Sequence, residues 1–256
     1  MLQKGEISRR LYEYLLKRSL DCRVEDIRIG LGYAGVKLEG TMIGVAAVLR
    51  HEIPSGCTTL DRAGTLKGSK ASKLLRYLVE GKNPLDKIVG LATANALINL
   101  KVPEEEDDSI DLMNLSHHDH VAMVGLFKPL VQKIQETRAE LSIIERDPAR
   151  SEVLESNTTG KILKDCTVAI ITATSIINGT LEDIINRLGT SRHAVLLGPS
   201  TPMCCDIFQD TRLTHLGGSA ITNYDKILQI ISEGGGTPLM RPYLKFVNIP
   251  IQKNTQ

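Results

Sequence analysis

Residues 167–198 read TVAIITATSIINGTLEDIINRLGTSRHAVLLG. TVAIIT (167–172) and AVLLG (194–198) are short, unbroken apolar runs, the pattern of strands buried on both faces. Between them, Thr180-Leu-Glu-Asp183 reads as a capping box that opens a helix ending at Leu188-Gly189. A buried strand, a helix and a second buried strand make a right-handed parallel crossover. The rhythm extends outward on both sides. VAMVGLF (121–127) and LSIIER (141–146) are further apolar strands, and YLKFVNI (243–249) alternates as an edge strand. Helical patterns fall near 130–137, 180–188, 202–209 and 225–233. The second half therefore reads as α/β, a Rossmann-like three-layer domain with a mostly parallel sheet.

The first half has a different grammar. Residues 6–20 place Ile7, Leu11 and Leu15 on one helical face. Strand-like segments follow at 24–31, 34–39 and 42–49, the last (MIGVAAVL) continuously apolar. Residues 52–69 read as a long loop, 70–80 as a helix, and Asn83-Pro84 as the capped start of a longer helix with Ile88, Ala92, Ala96 and Leu100 inward. This is a small α+β domain. The stretch KVPEEEDDSIDLMNLS (101–116) reads as an acidic, solvated linker. The expected division is thus 1–103, a linker at 104–116, and 117–256.

Composition narrows the function. The 256 residues correspond to about 1.7 domains at ordinary domain size. Lys+Arg total 31 against 30 Asp+Glu, so the net charge of +1 gives no general attraction for nucleic acid. Three Phe, six Tyr and no Trp leave little to stack on a base. The charged first residues lack the apolar core of a signal peptide, and no apolar run is long enough to span a membrane. Five cysteines, an odd number, fit reduced thiols in a cytoplasmic chain. The partners expected are a small polar ligand or metal chelate, with a homo-oligomer as an open option.

In open α/β sheets, ligands bind beyond the carboxyl ends of the strands. Gly125-Leu-Phe127-Lys-Pro129 follows the first strand with one glycine, where a dinucleotide fingerprint needs three. Glu145, twenty residues on, reads either as a ribose-binding carboxylate or general base, or as a solvated partner of Arg146. Thr172, Thr174, Ser175 and Asn178 cluster in one strand-end loop, more polar groups than one cap requires. Gly198-Pro199-Ser200-Thr201-Pro202 reads as a tight turn into a helix capped by Thr201, a place for an anion or carbonyl, or as a structural turn. Cys204 and Cys205 fall in that first helical turn as small apolar groups. His117-His118-Asp119-His120 resembles a metal cluster, yet extended backbone lets only His118 and His120 converge. His51, beside Glu52 at the start of the long loop, and Cys57 are placed to meet the second domain across a cleft; His215 reads as a local hydrogen-bonder. Arg62, Lys67, Lys70, Lys73 and Arg76 form a basic face that is solvated or draws an anionic ligand.

The segments VGLFKP (124–129), IIERDP (143–148), IITATSIINGTLEDII (170–185), LLGPSTPM (196–203) and THLGGSAI (214–221), in that order, resemble the C-terminal domain of a family described as "putative heavy-metal chelation", a domain of unknown function. The first half, with GLATANALIN (90–99), resembles the companion domain of that family, which has an enolase-N-terminal-like fold. The resemblance implies a site between the domains. It places Asn95, Glu145, Thr172, Thr174, Asn178, Thr180 and the Gly198–Pro202 turn at a cleft, with a transition metal as the implied cofactor or cargo. Bottom-up, Asn95 among Ala92, Ala94 and Ala96 needs a polar partner if buried. The expected function is binding of a small polar ligand, a heavy metal or metal chelate, between the domains. The alternatives are a transferase or lyase using a nucleotide or S-adenosylmethionine in a degenerate Rossmann pocket, and a non-catalytic interaction module.

Overall fold

Helix α1 (Glu6–Leu20) buries Ile7, Leu11 and Leu15 along one face. An antiparallel sheet follows: β1 (Val24–Ile29), β2 (Tyr33–Leu38) and β3 (Ile43–Ala47), in that order. The expected helix at 70–80 is two short ones, α2 (Ala71–Leu75) and α3 (Tyr77–Glu80). Helix α4 (Pro84–Ile98) starts as the sequence predicts, the Asn83 side chain accepting from Asp86 N at 3.0 Å. The computed structural model of the chain describes residues 1–104, 106, 109–147, 149 and 156–253.

A short helix, α5 (Ser109–Met113), precedes the second sheet. Its strands and helices are β4 (His120–Val124), α6 (Lys128–Glu136), β5 (Glu140–Ile144), α7 (Ser156–Asp165), β6 (Val168–Thr172), α8 (Thr174–Ile177), α9 (Leu181–Arg187), β7 (His193–Leu197), β8 (His215–Ile221), α10 (Tyr224–Ser232), α11 (Thr237–Met240) and β9 (Leu244–Pro250). The strand order is β5-β4-β6-β7-β8-β9, parallel except for β9, which runs antiparallel to β8. The fold is therefore mixed α/β, with a mostly parallel six-stranded sheet and a separate antiparallel one.

Packing joins the halves. One apolar core runs from Ile7 and Leu11 of α1 through Leu91 of α4 to Ile171, Ile176 and Phe208. On the other face of the small sheet, Ile227 and Ile231 of α10 pack with Tyr33 and Val45. The small sheet is thus sandwiched between helices from both halves. On its inner face, in the edge strand β3, sits Gly44. A methyl group there would overlap the backbone of Ala92 and Ala96, so the missing side chain lets α4 lie directly on β3.

Several expectations change. No helix forms over 202–209; residues 201–204 are irregular, and a single 3-10 turn covers Cys205–Phe208. Thr201 does not cap it, because its hydroxyl donates to the Gly217 carbonyl at 2.8 Å. Thr180 does not cap α9 either; its hydroxyl donates to Asn178 Oδ1 at 2.7 Å. Helix α7 and strand β8 depart from the expectation: Gly160 and four Ser/Thr/Asn residues blur one, and Gly217-Gly218 interrupt the other. The acidic segment 101–116, of which residues 105, 107 and 108 lie outside the described residues, is not simply solvated. Glu106 pairs with Arg241 at 2.6 Å, and the Lys245 ammonium donates to the carbonyls of Pro103 and Glu104 at 2.9 and 2.7 Å.

Two outcomes follow from this packing. Gly44→Ala should lower stability by about 1–3 kcal/mol through overpacking, read as a shift in the urea midpoint at unchanged slope. Asp119, buried before β4, accepts from Arg192 Nε and Nη2 at 3.0 and 2.9 Å and from Ser116 N at 2.9 Å. The Arg192 guanidinium holds its carboxyl well below the usual carboxylate range. A depressed folded-state pKa stabilises above the unfolded value, about 3.9, and that contribution fades as the pH falls below it. Urea midpoints measured from pH 6 to pH 2 should fall less steeply in Asp119→Asn than in the parent chain.

Candidate functional site

The chain leaves β4 toward β5 on one side and reaches β6 on the other, so the crevice between β4 and β6 is the switch point where α/β sheets bind ligands. Gly125, just past β4, has φ +82°, and a methyl group there would meet the Thr172 side chain at 2.8–2.9 Å. The space that a dinucleotide fold gives to pyrophosphate is filled here by Thr172. The next amides are also taken: Leu126 N donates to Glu145 Oε2 at 3.0 Å, and Phe127 N to Met123 Sδ at 3.4 Å. Glu145 Oε1 accepts from Arg146 N and Asp147 N at 2.8 and 3.1 Å. Glu145 is buried, and both of its oxygens brace the turns that follow β4 and β5.

Beyond β6, the hydroxyls of Thr172 and Thr174 lie 2.9 Å apart, and Ser175 Oγ donates to Thr172 O at 2.6 Å. The Asn178 amide reaches out of this turn and donates to Glu52 Oε1 at 3.3 Å. Glu52 belongs to the 3-10 turn Arg50–Glu52 of the first half. Beside it, His51 Nδ1 lies 3.7 Å from Asp147 Oδ2 and His51 Nε2 lies 3.6 Å from Glu52 Oε1. The three side chains are partly exposed, at 38%, 19% and 18% for His51, Glu52 and Asp147, so the cluster is open to small molecules. Of the predicted residues, Thr172, Thr174, Asn178 and Thr180 come together here with Glu145 beneath. Glu52 and Asp147 are the partners the sequence reading lacks, although Glu52 adjoins His51 and Asp147 lies within IIERDP (143–148). Pro148 of IIERDP lies outside the described residues.

Asn95 and the Gly198–Pro202 turn lie elsewhere in the interdomain contact. Asn95 Nδ2 donates to Val45 O at 2.9 Å and to Ser200 O at 3.1 Å, while Ser200 Oγ accepts from Ala47 N at 2.8 Å. Ser200 and Thr201 are each 3% exposed. These residues stitch the turn to β3 and α4. Pro199 and Thr201 also border a recess of about 40 Å³ between the halves, with Thr41, Asn99 and Met203, which has room for roughly three waters. Asn95 Oδ1 and Ser219 Oγ line it, buried and without a hydrogen-bond partner among the described residues.

The remaining sequence candidates disperse. The His117 and His118 rings lie 3.8 Å apart, tilted at 42°, while His120 pairs with Ser142 Oγ at 2.9 Å. Cys57 is exposed; Cys204 is buried, and burial pushes its thiol pKa up. Among the described residues, no group of three or more His, Cys, Asp and Glu is placed to hold a metal ion by itself. No described helix is long and apolar enough to cross a membrane.

Ser200→Ala would leave the part-buried Ala47 amide without its acceptor. We expect a loss of about 1–3 kcal/mol in urea unfolding, together with faster amide exchange at Ala47.

Two family models match the chain, both described as "Putative heavy-metal chelation": one, DUF4213, over residues 12–98 and the other, DUF364, over residues 108–250. An uncharacterized protein of Methanocaldococcus jannaschii is 23% identical over 248 residues, 92% of this chain and 93% of that one. Two crystal structures of proteins with unknown function from the DUF364 family share the fold. The one from Pyrococcus horikoshii superposes with a TM-score of 0.82 at 21% identity, covering 96% of this chain and 100% of that one. The one from Desulfitobacterium hafniense DCB-2 gives 0.78 at 20% identity, covering 93% and 97%. The matched residues take in well over half of the sequence, and the chain belongs to the DUF364 heavy-metal-chelation family.

Proposed function

We propose that the chain binds a small polar ligand, a metal chelate, at the switch point between β4 and β6, beneath the His51–Glu52 turn. One observation carries this reading: His51 and Glu52 from one half stand within 3.7 Å of Asp147 and 3.3 Å of Asn178 on the strand ends of the other. An imidazole and two carboxylates, half open to solvent, suit a late transition metal. They do not form a closed ligand set, in keeping with the lack of a three-residue metal group among the described residues. A metal that arrives already chelated needs only one or two protein donors, and its chelator offers oxygens to the Asn178 amide and the Thr172 and Thr174 hydroxyls. Glu145 then acts as a brace that positions Asp147 rather than as a base, since its oxygens already accept three amides. Asn95 and the Gly198–Pro202 turn hold the two halves at the separation this cleft requires. The family description points the same way. The occupied amides after β4 disfavour the nucleotide or S-adenosylmethionine reading.

Calorimetric titration with nickel citrate, with citrate alone as control, tests the reading. The parent chain should bind the chelate, and His51→Ala and Asn178→Ala should each weaken it about tenfold or more, roughly 1.4 kcal/mol per decade. Absence of binding, or equal binding by both variants, overturns it.

A further inference from the structure

At the opposite end of the large sheet, away from the cleft, two histidines share a face. In the parallel pairing of β7 with β8, Val195 stands opposite His215, so His193, two residues earlier, lies on the same face as a diagonal neighbour. In the antiparallel pairing of β8 with β9, Gly217 stands opposite Asn248, which puts Asn248 on that face as well. His193, His215 and Asn248 line one water-sized recess of about 10 Å³, closed by Leu112, Met113 and Val195. The two rings are 5.3 Å apart between centroids, at 60° to each other. Two imidazoles bound tetrahedrally to one ion at about 2.0–2.1 Å would have centres about 5 Å apart. Thr214 Oγ1 accepts from Ala194 N at 2.9 Å and lies 2.9 Å from His215 Nδ1, so the hydroxyl anchors that ring by its Nδ1 edge. The His193 ring has no hydrogen-bond partner among the described residues. Burial lowers the pKa of both imidazoles. The neighbouring Arg192 charge is met by Asp119 at 2.9 Å.

We infer that His193 and His215 form a second metal site, a two-histidine clasp for a divalent late transition metal such as Ni2+, Cu2+ or Zn2+, with water completing its coordination. The site is independent of the cleft and is tested without it. In a His51→Ala background, calorimetric titration with each bare ion should show one equivalent bound. Adding His193→Gln or His215→Gln should weaken that binding at least tenfold, while His117→Gln with His118→Gln should leave it unchanged. Thermal melts of the metal-free variants establish that they fold. Should either fail to fold, imidazole 15N resonances of the parent chain decide: Zn2+ should move those of His193 and His215 together. Absence of a stoichiometric ion in His51→Ala, undiminished binding in folded His193→Gln, or unmoved His193 and His215 resonances each overturn the site.

Discussion

A side-chain amide ties the small sheet directly to a turn of the large one. Asn95 donates to Val45 O on the small sheet and to Ser200 O on a strand-end turn of the large one, and the Ser200 hydroxyl oxygen accepts from Ala47 N. These bonds are largely shielded from water, where a hydrogen bond is stronger and its loss more costly. Their geometry depends on how closely α4 can approach β3, which is fixed by the bare backbone of Gly44. From there the turn at 198–202 is tied back to Gly217 through Thr201.

The same contacts explain why a two-part chain folds around one core. Ile7 of α1 donates its amide to the buried Glu182 carboxylate at 3.0 Å, and Arg10 pairs with Asp210 at 2.5 Å. The first helix is thus anchored to the far half. Side chains presented from both sides of such a joint are positioned by packing.

The sequence displayed the large sheet clearly because its buried strands are short aliphatic runs between helical patterns, and Asn83-Pro84 announced α4 through capping chemistry that needs only neighbours. It displayed less where long-range bonds overrode local ones. Thr201 and Thr180 look like caps, yet their hydroxyls are claimed by Gly217 and Asn178. β8 was hidden because Gly217 and Gly218 have low strand propensity, and tertiary pairing with β7 and β9 decides its conformation. At the site, residue types were readable but grouping was not. Asn95 and Asn178 looked like one constellation, whereas Asn95 joins the halves and Asn178 meets Glu52. The pairing of His51 with Asp147 depends on where a long loop lands, which local patterning does not encode.

Gly125 and Thr172 carry a consequence for how the family can vary. Their strands are neighbours, and the left-handed turn at Gly125 presses its backbone against the Thr172 side chain. Any side chain at 125 would strain the turn and meet a β-branched neighbour. A larger group at 172 would push the first strand-end turn off the Glu145 brace. The two positions therefore form one unit of inheritance: relatives that open a glycine-rich phosphate loop after β4 must shrink or redirect residue 172, and those that keep the threonine must keep the glycine.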